Sequence, residues 1–467
     1  MTDMHPTNDK RAPRVALALC LLIACAPAPR ARAQAPAQPE SEGKPAPRVT
    51  ATIPDYRGPS GFFGRPALVS FSPDGRLLAL SGEKEVVHLY DAETGKHLHT
   101  FATTQMGGLD AFSFSPDGRT AATRDRYDKS VRIWDLATGG QLLALSGRKR
   151  DMESEWKAIN VSVAEFIPVP YGPEGRTVLV EREDDLVTVF EAATGREVSV
   201  LDHRTETHKG KDLLRLALTG RVRWLRMRPV LSPDGRLVVT ANGDKAPKLW
   251  EAATGRLVAA LKGHGDIVYN AAFSPDSRLL ATETRTGTVH LWDAATGRPR
   301  ATLKAAGIDY SYFNVEDVYY TPSFAFGPDS RTLVTYHDRA TQIWDAERGA
   351  LRHRLKKSES DSVAYSPDSR LLATCGGSAS AKLWDVETGK LVRELPKSEK
   401  ETHFVTFRPD GRTLLTASDA GLRLWDVATG DLVATLARSR FPASFSPDGR
   451  RLATGGNEKT AYLYELR

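Results

Sequence analysis

Cysteine is almost missing. The 467 residues hold three, and two of them, Cys20 and Cys25, fall within the first 33. If that stretch is a leader, Cys375 is the one cysteine that remains under either way of processing it. The rest of the chain therefore has no internal disulfide, and packing must hold it together. Paired cysteines with zinc spacing are also lacking, as are a Gly-x-Ser-x-Gly elbow and a His-Glu-x-x-His pair. No catalytic residue, cofactor or metal ligand is assigned. The apolar run at residues 15–26 is well short of the about 20 residues that cross a bilayer. Charge is scarce in net terms. Residues 1–33 hold five of the 64 basic and two of the 58 acidic groups, so the remainder carries 59 against 56, a formal +3. That small excess argues against nucleic acid as a partner.

The start of the chain differs in kind from the rest. Lys10, Arg11 and Arg14 precede the apolar run, which is the layout of a secretory signal, and predict an exported protein of the periplasm or cell envelope. Two exits are open. Ala31-Arg32-Ala33 before Gln34 suits a small-x-small cleavage site, while Leu22-Ile23-Ala24-Cys25 resembles the lipobox of bacterial lipoproteins, with Cys25 as the lipid-bearing residue. Residues 34–48, rich in Ala, Pro and Gln, read as a flexible tether. The domain expected to follow spans 49–467.

That domain is a repeat. Residues 263–297 give its clearest copy: Gly-His, an alternating run into Phe273, a turn at Ser274-Pro275-Asp276-Ser277, a second run, and a third ending at Trp292-Asp293. Period-2 runs bounded by Pro, Asp and Gly predict antiparallel strands. The turn proline recurs nine times, at 73, 116, 173, 233, 275, 328, 367, 409 and 447. After each comes an aromatic-acid pair, filled by Trp134, Trp250, Trp292, Trp344, Trp384 and Trp425 in six units and by Tyr90, Phe190 and Tyr464 in three. Ser-Pro-Asp-Gly carries the residues a type I turn favours.

The unit resembles the repeat of the WD-repeat β-propeller family in its Gly-His opening, its Ser-Pro-Asp-Gly turn and its Trp-Asp ending. The resemblance covers nearly the whole domain and implies an all-β propeller of four-stranded antiparallel blades. Nine units predict nine blades, with eight as the alternative if the third, with Gly172-Pro173-Glu174-Gly175 and Phe190-Glu191, is displaced. The ninth unit ends on its third strand, and residues 49–53 are the free extended segment that can supply the fourth. Family repeats bury a network of His, Ser or Thr, Asp and Trp. His264, Thr282 and Trp292 match it, but Thr286 stands at the Asp position, so these residues are expected to be structural. Asp128, Asp184, Asp244, Asp338 and Asp419 match that position in other units.

From turn proline to the glycine after the acid, the separation is 21–23 residues; from that glycine to the next proline it ranges from 17 to 38. The variation lies in the connection from the fourth strand of one blade to the first of the next, so the long insertions share one face. Loops on a rigid scaffold are where specificity resides. Residues 146–163 are densely charged around Trp156 and suit a solvated loop. Residues 202–228 carry eight Lys or Arg against three acids, with Arg221, Arg223, Arg226 and Arg228 alternating around Trp224 and Met227. Residues 304–324 interleave Tyr310, Tyr312, Phe313, Tyr319 and Tyr320 with acids, a pattern shared by protein interfaces and by loops folded onto their own scaffold. The aromatic and arginine positions are the candidate partner-binding residues. The expected function is a non-enzymatic interaction scaffold of the envelope. Its rivals are small-molecule or glycan binding in the central channel, and a quinoprotein-like enzyme. Asp-x-x-Thr-Gly does recur in pyrroloquinoline-quinone dehydrogenases, but the Trp that follows there is replaced by Leu98, Leu142, Val198, Val258 and Val392. Mass spectrometry of the native N-terminal peptide decides the processing: an unmodified start at Gln34 excludes lipid on Cys25.

Overall fold

A computed structural model describes residues 47–54, 68–81, 86–102, 109–125, 130–145, 169–182, 186–202, 227–241, 246–284, 286–304, 324–337, 340–355, 358, 360, 362–376, 380–398, 400–456 and 459–466. They form nine antiparallel sheets in a ring. Blade 1 spans 69–101, blade 2 109–145, blade 3 171–201, blade 4 230–260, blade 5 268–304, blade 6 324–355, blade 7 362–394, blade 8 402–436 and blade 9 439–465 plus Arg48–Ile53. Nine blades, rather than eight, is what the repeat count predicts. The third unit keeps its place in the ring. Its first strand is reduced to a bridge between Tyr171 and Val178 beside the three strands Thr177–Glu181, Val187–Glu191 and Glu197–Leu201.

Closure follows the expected route. Arg48–Ile53 pairs antiparallel with Ala461–Glu465, from Arg48 opposite Glu465 to Ile53 opposite Ala461. Ile53 is buried with Val69, Phe71 and Leu80 of blade 1 and Leu463 of blade 9, so one residue seals both the last sheet and the seam beside it. The same design recurs around the ring. Leu, Val and Ala of the second and third strands are almost wholly buried, because each sheet is covered on both faces by its neighbours. First strands touch between blades 4 and 5, 5 and 6, 7 and 8, and 9 and 1, which places them nearest the axis. There the sheets converge and leave little room. The position three residues before each turn proline is accordingly small: Ser70, Ser113, Pro170, Val230, Ala272, Ala325, Ala364, Thr406 and Ser444, all half-buried.

Blades are also tied at their turns. Ser277, Ser330 and Ser369 stand where other units have glycine and adopt φ of 58 to 61°, a left-handed conformation that a side chain disfavours. Each hydroxyl accepts the amide of the turn aspartate one blade back, from Asp234, Asp276 and Asp329, at 3.0 Å. These bonds offset the backbone cost and link blades 4 to 7 in series. The glycine after the acid has a different reason. Gly255 has a φ of 69°, and a Cβ there would lie 2.8 Å from the carbonyl of Val200 in blade 3. In every blade the fourth strand carries one extra residue opposite the Trp position: Leu98, Leu142, Val198, Val258, Arg300, Arg352, Val392, Val433 and Thr50.

Removing most of the Ile53 side chain empties a site shared by two blades. Ile53→Ala is expected to destabilise the protein by about 2–4 kcal/mol in urea denaturation. Deleting residues 48–53 is expected to cost far more and to produce aggregation through the exposed edge of Ala461–Glu465. A soluble, equally stable deletion would show that closure lies elsewhere.

Candidate functional site

The six tryptophans of the aromatic-acid pairs are structural. Each is buried, with at most 8% of its surface exposed. Each donates its indole N–H to a threonine near the middle of the second strand of its own blade: Trp134 to Thr123, Trp250 to Thr240, Trp292 to Thr282, Trp344 to Thr335, Trp384 to Thr374 and Trp425 to Thr416, at 2.8–3.0 Å. The exceptions explain the rule. Where the indole gives way to Tyr90 or Phe190, the threonine gives way to Leu80 or Val180, since a buried hydroxyl without its partner is costly. In blade 9, Thr454 and Tyr464 both bond Ser439, at 2.8 and 2.7 Å. Blade 5 adds His264, whose Nε2 lies 2.7 Å from Thr282 and whose ring packs on Trp292 and His290. Burial pushes the pKa of His290 down and favours its neutral form. Thr286 contacts Thr284 at 3.0 Å. Of the five aspartates matched to the network, Asp419 is described, 3.6 Å from His403; Asp128, Asp184, Asp244 and Asp338 lie outside the described residues.

The recurrent acids of the second hairpin are turn devices too. Asp91 accepts the hydroxyl and the amide of Thr94 at 2.7 Å, and Asp293, Asp385 and Asp426 bond Thr296, Thr388 and Thr429 in the same way. The Thr94 hydroxyl, followed by its amide, holds the Asp91 carboxyl below its ordinary range. Such a group accepts hydrogen bonds and is a poor proton donor at neutral pH. Among the described residues no cluster of three His, Cys, Asp or Glu is arranged to hold a metal.

The candidate partner-binding residues divide. Tyr310, Tyr312, Phe313, Tyr319, Tyr320, Arg221, Arg223 and Arg226 lie outside the described residues, as does Cys25. Arg228 is described and half-buried beside Met227, which belongs to the core of blades 4 and 5. The flanking strands fix where the insertions attach. Segments 146–168, 203–226 and 305–323 each leave a fourth strand and return to a first, between blades 2 and 3, 3 and 4, and 5 and 6. All three attachments are on one face and within one arc of the ring.

The opposite face, made of the two hairpin turns of each blade, has a feature that the repeat pattern already contained. Arginine follows the proline turn in all nine units: Arg76, Arg119, Arg176, Arg236, Arg278, Arg331, Arg370, Arg412 and Arg450. Every one is exposed. Its carbonyl accepts the amide of the residue after the Trp-Asp position, nine times over, at 2.7–3.0 Å. In eight blades its own amide donates to the turn aspartate Oδ1 at 2.8–3.1 Å. The backbone is thus held on both sides while the guanidinium projects outward. Sequence reasoning passed over these residues because they coincide with a turn that structure alone explains.

Comparison with known proteins agrees with this architecture. The family model for the WD domain, G-beta repeat, matches residues 95–135, 255–293, 352–385, 389–426 and 433–465. Each match starts at or next to the fourth strand of one blade and ends in the third strand of the next. These five stretches are WD40 repeats, offset by one strand from the blades of the propeller. Among curated relatives, the periodic tryptophan protein 2 homolog of Schizosaccharomyces pombe is 25% identical over 211 residues, 42% of this chain and 22% of that protein. Topless-related protein 4 of Arabidopsis thaliana is 30% identical over 89 residues, 18% and 8% of the two chains. Small ribosomal subunit protein RACK1 of Caenorhabditis elegans is 27% identical over 133 residues, 28% and 38%. The chain thus spans well under half the length of these relatives. The C-terminal WD40 domain of Sif2 shares the fold, with a TM-score of 0.54 at 11% identity over 90% of this chain and 99% of that one.

The Trp–Thr pairing can be measured. Thr374→Val leaves the Trp384 indole without its acceptor and is expected to cost about 1–3 kcal/mol. Combined with Trp384→Phe, which recreates the apolar pairing of blade 3, the double variant should lose less than the sum of the single losses, by about 1 kcal/mol. Strict additivity in urea denaturation would count against the coupling.

Proposed function

We propose that the protein is an exported, non-enzymatic interaction scaffold that engages protein partners through the face bearing its three long insertions. WD40 propellers in general mediate protein–protein interactions. The observation that carries the reading is that the strands flanking segments 146–168, 203–226 and 305–323 end on one face and within one arc, while the turns of the other face stay nearly constant in length. A rigid ring with elaborated connections on one side is a scaffold whose specificity lies in those connections. Export rests on residues 1–33, with Cys25 as the site of a lipid if the lipobox is used.

A second reading has its own observation. In the inner ring of small residues, Thr406, Ser444, Ser70 and Ser113 come from four successive blades, 8, 9, 1 and 2, and Ala272, Ala325 and Ala364 from blades 5 to 7. One arc of hydroxyls and one of methyls would suit a small amphipathic molecule or a glycan in the channel.

Affinity purification from envelope extracts tests the first reading. The protein with residues 306–322 replaced by a short Gly-Ser linker is expected to lose at least one partner that the intact protein retains. Equal capture by both would move the binding face away from this insertion, and the arginine-rich segment 221–228 would be replaced next. If neither form holds a protein, the scaffold reading fails and the channel reading takes its place.

A further inference from the structure

We propose that blade 5 carries an acid-released latch: protonation of the buried imidazoles of His264 and His290 frees the connection 262–267 that joins blade 4 to blade 5.

The connection is held at one point. Between Leu261 and Val268, His264 is the only buried residue, with 6% of its surface exposed. Glycines flank it, Gly263 with a φ of 115° and Gly265 with a φ of 72°, and nothing lies within 4 Å of where a Cβ would stand on either. The backbone on both sides has room to move, so the imidazole is the peg that fixes it.

That peg is built for a neutral ring. Thr282 Oγ1 accepts the indole N–H of Trp292 at 2.8 Å and keeps its own hydrogen for His264 Nε2, at 2.7 Å. The second bond needs an unprotonated nitrogen. His290 stands against His264 edge to face, with ring centroids 4.6 Å apart. Its Nδ1 lies 3.2 Å from the Thr302 hydroxyl, while Nε2 is buried and, among the described residues, has no hydrogen-bond partner. A proton on Nε2 would be buried without an acceptor, and burial accordingly pushes the pKa of His290 down. Charge on one ring also opposes charge on the other at this separation.

No acid offsets the cost. Thr286 stands where five other units have Asp, and among the described residues no Asp or Glu joins the two imidazoles in a cluster of three. Glu283, next to Thr282 on the second strand, points to the other face of the sheet, where Oε2 accepts Asn270 Nδ2. Asp266 Oδ1 accepts the amide of Ile267 within the connection itself. On the fourth strand, Arg300 and Lys304 flank Thr302 by two residues on each side; both are exposed cations, and Arg300 is bonded to Asp293. Blade 4 meets Trp292 with Val239, Leu249 and Leu261, and Lys262 beyond them is exposed. Arg285 lies outside the described residues.

Because His290 favours its neutral form when packed, the latch is intact above about pH 6.5, the ordinary imidazole value, and weakens as the pH falls below it. The connection 262–267 lies between the attachments of segments 203–226 and 305–323 and on their face, so its release reshapes that face in acid. The effect on partners rests on the scaffold reading above. The opening itself does not, and is measured without a partner.

Amide hydrogen exchange of the chain from Gln34 is followed by mass spectrometry at about pH 7.5 and about pH 5. After correction for the intrinsic rate, residues 262–267 are expected to open at least about tenfold more at the lower pH, since each unit of pKa difference is a factor of about ten. Residues 396–401, which join blades 7 and 8, should not change. Combining His264→Gln with His290→Gln should remove the pH dependence, and His88→Gln, at the same third-strand position in blade 1, should leave it. Exchange of the histidine C2 hydrogens in the unmodified protein is a second readout that needs no variant to fold: His290 should titrate below about pH 6.5. Titration at or above that value overturns the proposal, as does equal corrected exchange at the two pH values. So does a pH dependence that survives the double substitution, or opening in acid of the whole ring rather than of this connection.

Discussion

Every part of this protein depends on a sheet pairing that spans almost the entire chain. A blade is a four-stranded sheet apolar on both faces, and it is stable only when each face lies against another blade. A row of nine would leave two such faces in water. Pairing Arg48–Ile53 with Ala461–Glu465 converts the row into a ring, and Ile53 fills the seam that results. Without a disulfide to constrain the unfolded chain, the ring relies on this noncovalent clasp. The strand offset between repeats and blades is what makes the clasp possible, since the final repeat stops one strand short.

Within that constraint the blades are tuned as units. Tryptophan with threonine, or an aromatic without an indole opposite an apolar residue, are both satisfied pairings; a mixed pair needs a third group to satisfy it, as Ser439 does for Thr454 and Tyr464 in blade 9. Serine in place of glycine at three turns is a comparable exchange, with backbone strain set against a bond to the preceding blade. Repeats that differ in sequence can therefore remain equivalent in shape, because residues change in compensating sets.

Most of the fold was legible in the sequence because its determinants are local and repeated. The proline turns, the alternation of apolar residues and the aromatic-acid pairs gave strand order and blade number, and the unpaired ninth unit gave the closing strand. The third unit is the partial exception: its first strand shrinks to the bridge at Tyr171, where Pro168 and Pro170 in the sequence supply no amides for a ladder. The long-range links were illegible for a physical reason. The bond from Asp234 to Ser277 joins residues 43 apart and depends on how neighbouring blades are spaced, which no single repeat encodes. Of the candidate site, the shared face of the insertions followed from connection lengths alone. The arginine ring was hidden by its own regularity, since a residue that accompanies every turn reads as part of the turn.

The extra residue in each fourth strand has a consequence for the molecule in solution. A propeller turns the first-strand edges of its blades toward the axis but leaves nine fourth-strand edges facing outward, each an invitation to add a foreign strand. A bulge there breaks the even spacing of amides and carbonyls that such a strand would need. Leu142, Leu257 and Leu432, at or beside the bulges of blades 2, 4 and 8, are 44–51% exposed, and blade 7 adds the adjacent pair Leu391 and Val392. Distributed in this way they form no continuous patch. The irregularity that recurs in all nine blades is thus a safeguard against cross-β assembly, built into the one part of the sheet that ring closure cannot protect.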